Sequence, residues 1–273
     1  MAIAAIPFAA SPRACAVQPL GPQYSVTDLG TLGGIGSDAM DVNNAGVVVG
    51  QSRINASGQP FRGFIYSGGS MLSIGPFAGG TYSSADGLNN LGQVTGQARD
   101  SSQNGHAFLY SSGTLTNVDG GSYLQSRGNG INDAGTVAGS LYVFNPAAGT
   151  YFYHAFYATS GGAPVDLGVA GGNNNNPGLQ SFAYGVNNSG QVVGSDQFGQ
   201  DANGFYPNRA FLYTGGVKLD LGTLGGTNSG AYGVNDAGMV TGFSEITVGD
   251  SGTRHLFVYS GGGDARYGGL RRE

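Results

Sequence analysis

The fold is decided by Val42-Asn43-Asn44-Ala45-Gly46-Val47-Val48-Val49-Gly50, a stretch that returns four more times along the chain. Each copy opens on an apolar residue, turns on Asn-Asn or Asn-Asp with a glycine two positions later, and closes a short apolar run on another glycine. Asparagine, aspartate and glycine favour tight turns, so each copy predicts a β-hairpin. We expect the closing glycine to allow close approach of a neighbouring backbone. The other copies begin at Leu88, Ile131, Val186 and Val234.

Two more strands follow each hairpin in the sequence. An aromatic and apolar signature, as in Phe64-Ile65-Tyr66, predicts a third strand and recurs at 108–110, 156–157, 211–213 and 257–259. After a turn rich in Ser, Thr and Gly, a fourth strand ends in Asp-Leu-Gly at 166–168 and 220–222. The chain is therefore built from four-stranded units.

These units predict an all-β fold, a five-bladed β-propeller of four-stranded antiparallel blades. Successive hairpins lie roughly 43 to 55 residues apart, which is typical of propeller blades. A β-solenoid or β-prism is the alternative, although solenoid coils are usually shorter. We expect one repeat domain over 24–262, followed by an irregular tail at 263–273, with units at 24–69, 70–113, 114–162, 163–216 and 217–262.

An unpaired fourth strand precedes the first hairpin, at Tyr24 to Gly30, while the last unit lacks a fourth strand. Pairing this N-terminal strand with the 257–259 strand would close the ring and leave no open edge. Cross-strand charge supports the closure, because opposite charges facing each other stabilise a sheet. A turn at Thr214-Gly215 sets Arg209 against Asp220, and the equivalent pairs are His154 with Asp166 and His255 with Asp28.

Composition narrows the class of protein. Apolar residues make up 40% of the 273 residues, which is enough for a core despite 53 glycines. The net charge of −5 and the absence of a basic cluster before the last residues argue against a nucleic-acid partner. No apolar run is long enough to cross a bilayer.

The first 16 residues resemble a shortened signal peptide. They are rich in Ala and Ile and end in Ala14-Cys15-Ala16, which has the small-x-small form of a cleavage site, although a positively charged start is missing. A disordered start is the alternative. Cleavage would remove the only cysteine, and a thiol-free mature chain suits an oxidising exterior, so we expect a secreted, extracellular protein.

The repeats resemble the HAF-repeat family of predicted extracellular proteins. The tripeptide that names this family stands at His106-Ala107-Phe108 and His154-Ala155-Phe156, and Asp28-Leu29-Gly30-Thr31-Leu32-Gly33-Gly34 returns unchanged at 220–226. The resemblance covers nearly the whole chain and implies a propeller-like fold and an extracellular address. It implies no activity. The tail at 263–273 departs from the family pattern, which suggests truncation or a frameshift.

Neither histidines nor carboxylates predict a catalytic or metal site. His106, His154 and His255 share one repeat position with Arg62 and Arg209, which indicates a structural cation and no metal ligand. A glycosidase needs two acids. Five acids occupy repeat positions where pairing or capping explains them, namely Asp28, Asp133, Asp166, Asp220 and Asp236. The loop candidates that remain are Asp38, Asp100, Asp196, Asp201, Glu245 and Asp250. We therefore predict no enzyme and no cofactor.

The loop from Asp196 to Asn203 offers oxygens that could bind Ca²⁺, but its spacing matches no standard calcium loop, and a structural turn is favoured.

The connection between second and third strands lengthens in units three and four and gains aromatic residues. Exposed aromatic rings beside amides suit sugar stacking or a protein contact, whereas longer hairpins held by aromatic pairs are the structural alternative. We predict a monomeric, non-catalytic exported scaffold that binds a glycan or a protein; a structural surface or matrix protein and a propeller-type glycoside hydrolase are the alternatives. The candidate binding residues are Tyr142, Phe144, Tyr151, Tyr153, Phe198, Phe205 and Tyr206.

Overall fold

The computed structural model of the chain describes residues 25–169, 179–197, 199, 204, 206–247 and 253–261. Within these residues every regular element is a β-strand, and no helix suited to crossing a membrane is present. The strands form five separate antiparallel sheets, so the predicted all-β fold of propeller-like blades is confirmed. A β-solenoid does not fit, because its coils would form parallel sheets, whereas each sheet here is an antiparallel meander of consecutive strands.

Four sheets contain four strands and the fifth contains three. Sheets one and two comprise β1 (Ser37–Val42), β2 (Val48–Arg53), β3 (Phe61–Ser67), β4 (Ser70–Ile74), β5 (Ser83–Leu88), β6 (Val94–Arg99), β7 (Gly105–Ser111) and β8 (Thr114–Asn117). Sheets three, four and five comprise β9 (Ser126–Ile131), β10 (Val137–Asn145), β11 (Thr150–Ala158), β12 (Val165–Asp166), β13 (Ser181–Val186), β14 (Val192–Gln197), β15 (Asn208–Thr214), β16 (Val217–Gly222), β17 (Ser229–Val234), β18 (Val240–Glu245) and β19 (Arg254–Tyr259).

The repeated hairpin joins the first and second strands of every sheet. In sheet one, Asn43 Oδ1 accepts the backbone N–H groups of Ala45 and Val47, each at 3.0 Å, and thereby fixes the turn. Gly46 has a φ of +74°, and its counterparts in the other four turns lie between +76° and +78°. Glycine adopts this left-handed conformation without strain, as the turn pattern predicted. The counterparts are Gly92, Gly135, Gly190 and Gly238.

The glycine that closes each repeat lies against the first strand of its own sheet. A Cβ atom added to Gly139 would lie 1.8 Å from the carbonyl oxygen of Arg127, and the other four positions would give 1.9–2.0 Å. The predicted close backbone approach is confirmed, and it coincides with a bulge in the first strand of every sheet. The other positions are Gly50, Gly96, Gly194 and Gly242.

A ladder of asparagine side chains links neighbouring sheets. Asn43 Nδ2 donates to the backbone carbonyl of Asn89 at 3.1 Å, and Asn89 Nδ2 donates in the same way to Asn132 at 2.8 Å. Asn132 and Asn187 continue the series to Asn235. The first four asparagines of the series thus each bind their own turn through the side-chain oxygen and the next sheet through the side-chain nitrogen.

A serine at the start of the first strand makes a second repeated link. Ser229 Oγ accepts the N–H of Ala210 from the preceding sheet at 2.9 Å and donates to Gly222 O at 2.5 Å. Ser83 and Ser181 make the equivalent pairs of bonds. The residue whose backbone N–H is donated to the serine is Gly or Ala, because a Cβ on Gly63 would already lie 3.2 Å from Ala85 N.

Four buried apolar clusters fill the junctions between consecutive sheets, and their members include Val49, Leu141, Ala183 and Leu221.

The predicted closure by the N-terminal strand is wrong for the described residues. Residues 25–30 form no strand, β19 has no partner on its outer edge, and Tyr24 lies outside the described part. First strands of later sheets are largely buried by the preceding sheet, whereas β1 is exposed along almost its whole length. Leu256 replaces the Gly or Ala of the other junctions, and its bulk disfavours the close approach that they use.

Candidate functional site

Eight aromatic rings form one continuous series across sheets three, four and five, which we call the aromatic row. Neighbouring ring centroids lie 4.8–6.5 Å apart, within or near the range in which aromatic pairs attract each other. In spatial order the rings belong to Phe144, Tyr151, Tyr142, Tyr153, Phe182, Tyr184, Tyr232 and Phe243.

The long β10–β11 hairpin supplies the first four rings. Tyr142 is paired with Tyr153, and Phe144 with Tyr151, so all four side chains lie on the same face of the hairpin. Tyr142 also stacks on Tyr151 diagonally at 5.0 Å. Cross-strand aromatic pairs stabilise a hairpin of this kind, so these four rings have a structural role as well.

The first strands of sheets four and five continue the row. Phe182 and Tyr184 flank the buried Ala183, which packs into the junction with sheet three. Tyr153 contacts Phe182 at 5.6 Å, and Tyr184 contacts Tyr232 of the next sheet at 5.3 Å. The repeat geometry therefore extends a local hairpin feature across three sheets.

The aromatic row is partly open to solvent and carries polar groups along its length. Phe144 is 50% exposed and Tyr232 57%, while the rings between them are half-buried. The Tyr153 hydroxyl donates to Gln125 Oε1 at 3.0 Å, and the Tyr184 hydroxyl lies 3.3 Å from Ser195 Oγ. Burial raises the pKa of both tyrosines, so their hydroxyls stay protonated at neutral pH.

Charged groups occupy the neighbouring positions. The Arg254 guanidinium lies 4.6 Å from the Phe243 ring centroid, at one end of the aromatic row. On the first strands of sheets two and three, Arg127 binds both carboxylate oxygens of Asp86, at 2.9 and 2.8 Å. Burial raises the pKa of Asp86 although Arg127 opposes this shift. The first strands of sheets two and three therefore carry an ion pair, whereas those of sheets four and five carry aromatic rings.

The sequence identified half of the aromatic row. Tyr142, Phe144, Tyr151 and Tyr153 come together as neighbours, whereas Tyr206 lies apart, just before β15, and is 39% exposed. Phe198 and Phe205 lie outside the described residues. The rings that sequence reasoning missed belong to the repeats themselves, where an aromatic residue alternates with Ala and Gly; they are Phe182, Tyr184, Tyr232 and Phe243.

The predicted charge pairs fall at different registers from those expected. His154 Nδ1 lies 2.9 Å from Asp166 Oδ2, but Asp166 is paired with Phe156 on the backbone. Arg209 reaches Asp220 at 4.0 Å, again across a diagonal. The β15–β16 turn uses Gly215 and Gly216, both with positive φ, and a bulge follows, so the expected turn at Thr214-Gly215 was wrong by one residue.

The third predicted pair is absent from the described residues. Asp28 accepts the N–H of Gly30 at 2.9 Å, and His255 lies exposed on β19. Arg62, at the equivalent position of sheet one, donates to the backbone carbonyls of Phe61 and Thr81. The cation at this repeat position therefore binds whichever acceptor its own sheet presents.

We expect Asp166→Asn to destabilise the protein by about 1 kcal/mol at neutral pH. Burial alone would raise the pKa of Asp166, but the hydrogen bond and charge of His154 outweigh it, and the pKa lies below its usual value of 3.8. A depressed carboxyl pKa contributes stability above the unfolded value, and this contribution is lost as pH falls through the folded value. Urea unfolding should show the difference from wild type at pH 7 and its decrease towards pH 3.

The matched control is Asp220→Asn, because Asp220 also accepts a glycine N–H but lies 4.0 Å from its arginine. A smaller cost is expected there. An Asp166→Asn effect that stays constant from pH 7 to pH 3 would contradict the assigned pKa shift.

A cavity of about 520 Å³ opens beside His106 and is also lined by Phe77, Asp100 and Tyr123. Both ring nitrogens of His106 are occupied: Nδ1 lies 2.8 Å from the fully buried Asp119, and Nε2 lies 3.3 Å from Asp100. Ser126 Oγ donates to Asp119 and not to the histidine. This arrangement lacks the serine–histidine bond of a nucleophilic triad.

Several acids predicted to lie in loops belong to strands. Asp38 lies in β1, Asp196 in β14 and Glu245 in β18. Glu245 is buried and accepts hydrogen bonds from the backbone and side chain of Asn228. Asp100 begins the turn after β6, whereas Asp201 and Asp250 lie outside the described residues.

Asp196 forms a buried ion pair. Its Oδ2 lies 2.8 Å from Lys218 Nζ, and the side chains are 0% and 10% exposed. Lys218, the only lysine of the chain, also donates to Gly168 O at 2.8 Å and lies over the Phe211 ring at 4.7 Å. Asp196 Oδ2 thus binds Lys218 inside the sheet. Most of the loop considered for calcium, at 198 and 200–203, lies outside the described residues.

Comparison with known proteins adds a weak likeness in fold. No family model matches the chain, and no curated protein matches it. Among solved structures, it is similar to the β-propeller domain of the Trilobed protease from Pyrococcus furiosus, whose topology is described as open velcro. The TM-score is 0.38 at 9% identity, covering 82% of this chain and 80% of that chain. This likeness carries no functional argument.

Proposed function

We propose that this chain is an exported, non-catalytic binding protein that holds a glycan chain along the aromatic row. The observation that carries the proposal is the unbroken series of partly exposed rings over three sheets. One face of a sugar ring presents C–H groups that pack on aromatic faces, while its hydroxyl groups need hydrogen-bonding partners at the sides. Rings flanked by amide and hydroxyl groups suit both needs.

The length of the aromatic row favours an extended ligand over a small one. Its rings come from three consecutive sheets whose relative positions are fixed by the asparagine and serine links. A row set by repeats offers similar contacts at successive positions, which matches a polymer of repeated sugar units. A globular protein partner would instead favour a central apolar patch with a polar rim.

The alternative functions have weaker support. A glycoside hydrolase needs two acids flanking a bound sugar, whereas the polar groups that contact the described rings of the aromatic row are the amide of Gln125, the hydroxyl of Ser195 and the guanidinium of Arg254. At the cavity beside His106, Asp100 and Asp119 both contact the histidine ring. The resemblance to the HAF-repeat family remains a prediction and fits an extracellular binding or matrix role equally.

We expect Tyr232→Ala to weaken glycan binding about tenfold, because one aromatic contact at a binding site contributes on the order of 1–2 kcal/mol. The full chain would first be screened on a glycan array and by affinity electrophoresis in soluble polysaccharides, and the best polysaccharide then used for titration. Tyr232 is exposed, so its loss should leave the fold intact.

Tyr206→Ala is the matched control, because Tyr206 is an exposed tyrosine outside the aromatic row. Its affinity should equal that of wild type. Equal losses for the two variants, or none for either, would show that the ligand binds elsewhere. Turnover of the polysaccharide during the titration would contradict the non-catalytic role.

A further inference from the structure

The fifth sheet lacks a fourth strand among the described residues, and β19 is its open edge. Val258 is 67% exposed, whereas its counterparts Leu109 and Leu212 are 6% and 5% exposed. Leu256 is 89% exposed on the same strand. An open edge bearing exposed apolar side chains is a template for pairing with another strand.

Residues 25–30 have the sequence pattern of a fourth strand, but they are paired with no sheet. Val26 is fully exposed, and the segment 28–34 has the same seven residues as 220–226. Gly30 O accepts a hydrogen bond from Ser37 Oγ at 2.7 Å, just as Gly222 O accepts one from Ser229 Oγ. The segment therefore lies where the fourth strand of a preceding sheet would connect to sheet one.

We infer that β19 takes residues 25–30 of a second copy of this chain as its fourth strand, which joins copies head to tail. In the same chain, Gly30 is anchored to sheet one at the opposite end of the array, and Leu256 disfavours the close junction that would bring sheet one to sheet five. Pairing along the β19 edge needs only the strand. The inference replaces the monomer expected from the sequence and does not depend on glycan binding.

The register follows from sheet four. Phe211 is paired with Asp220 and Leu212 with Leu219, so Phe257 should face Asp28 and Val258 should face Thr27 of the second copy. His255 would then meet Asp28 as Arg209 meets Asp220. Directly opposed residues of antiparallel strands have Cα atoms close enough for a disulfide.

The test mixes two single-cysteine proteins made in a Cys15→Ser background, one with Val258→Cys and one, of different tagged mass, with Thr27→Cys. Mild oxidation should give a mixed disulfide-linked dimer on a non-reducing gel. Thr116→Cys replaces Thr27→Cys in the control, because Thr116 holds the equivalent position of β8, already paired with Leu109. That mixture should give at least tenfold less cross-linked product.

Sedimentation velocity provides a second measurement without cysteines. The wild-type weight-average mass should rise with concentration, and Thr27→Pro should abolish the rise, because proline cannot donate to a strand ladder. Residues 25–30 lie outside every sheet, so this change should not unfold the chain. A wild type that stays monomeric at all concentrations, an internal disulfide in a chain carrying both cysteines, or dimers linked through Val258→Cys alone would each overturn the inference.

Discussion

Replacing Asp196 with alanine should destabilise the protein by about 3–5 kcal/mol, because it leaves Lys218 as a buried and uncompensated charge. Lys218 lies within 2.8 Å of both Asp196 and a backbone carbonyl, and only 10% of its side chain is exposed. Burial already lowers the pKa of Lys218, and Asp196 opposes this shift most strongly, with a smaller contribution from the charge of Asp166. The free energy of unfolding from urea titration measures the effect.

The double variant Asp196→Leu with Lys218→Met is the control. Replacing both partners of a buried ion pair with apolar residues of similar volume is often neutral or stabilising. We expect the double variant to recover most of the stability lost by Asp196→Ala. If both proteins lose the same stability, the loss comes from packing around β14 and β16 and not from the unpaired charge.

Gly139→Ala should destabilise sheet three by about 3 kcal/mol, an unusually large cost for a single added methyl group. The new Cβ would lie 1.8 Å from Arg127 O and 2.9 Å from Arg127 C, and both are backbone atoms that cannot rotate away. Relief requires β9 and β10 to separate. Thermal and urea unfolding followed by circular dichroism should show the loss.

Gly149→Ala is the matched control in the same sheet. Gly149 has a φ of +64° and no atom within 4 Å of an added Cβ, so only backbone strain of about 1 kcal/mol is expected. If Gly139→Ala costs no more than this control, the close approach does not constrain the fold.

The repeated hairpins could be predicted from sequence because their determinants are local. Asn43 and Gly46 fix the turn through contacts within five residues, so the pattern alone specifies the structure. The same holds for the closing glycine, whose neighbour lies on the adjacent strand of its own hairpin. Whether the ring closes depends instead on how the five sheets pack at their four successive junctions, and no local motif specifies this packing. Leu256, in a position otherwise held by Gly or Ala, was the visible local sign.

The candidate site was predictable only in part for the same reason. Tyr142 and Tyr153 belong to one hairpin, whereas the contact between Tyr184 and Tyr232 joins two sheets and depends on how these pack. The role of Asp196 was missed because its partner, Lys218, is 22 residues away on a strand two positions across the sheet. Such contacts follow from the register of three strands and not from any motif.

Because the asparagine ladder links each sheet to the adjacent sheets, the protein resembles a quasi-one-dimensional array of repeats, in which the stability of a repeat depends mainly on its neighbours. Its stability then approximates a sum of intrinsic terms for single repeats and coupling terms for adjacent pairs, as in an Ising chain. Within the described residues, sheet three has a coupled neighbour on each side, while sheets one and five have one each. Whole repeats can therefore be gained or lost in evolution with little change to the remaining ones, whereas a shift of a few residues within a repeat breaks its coupling on both sides.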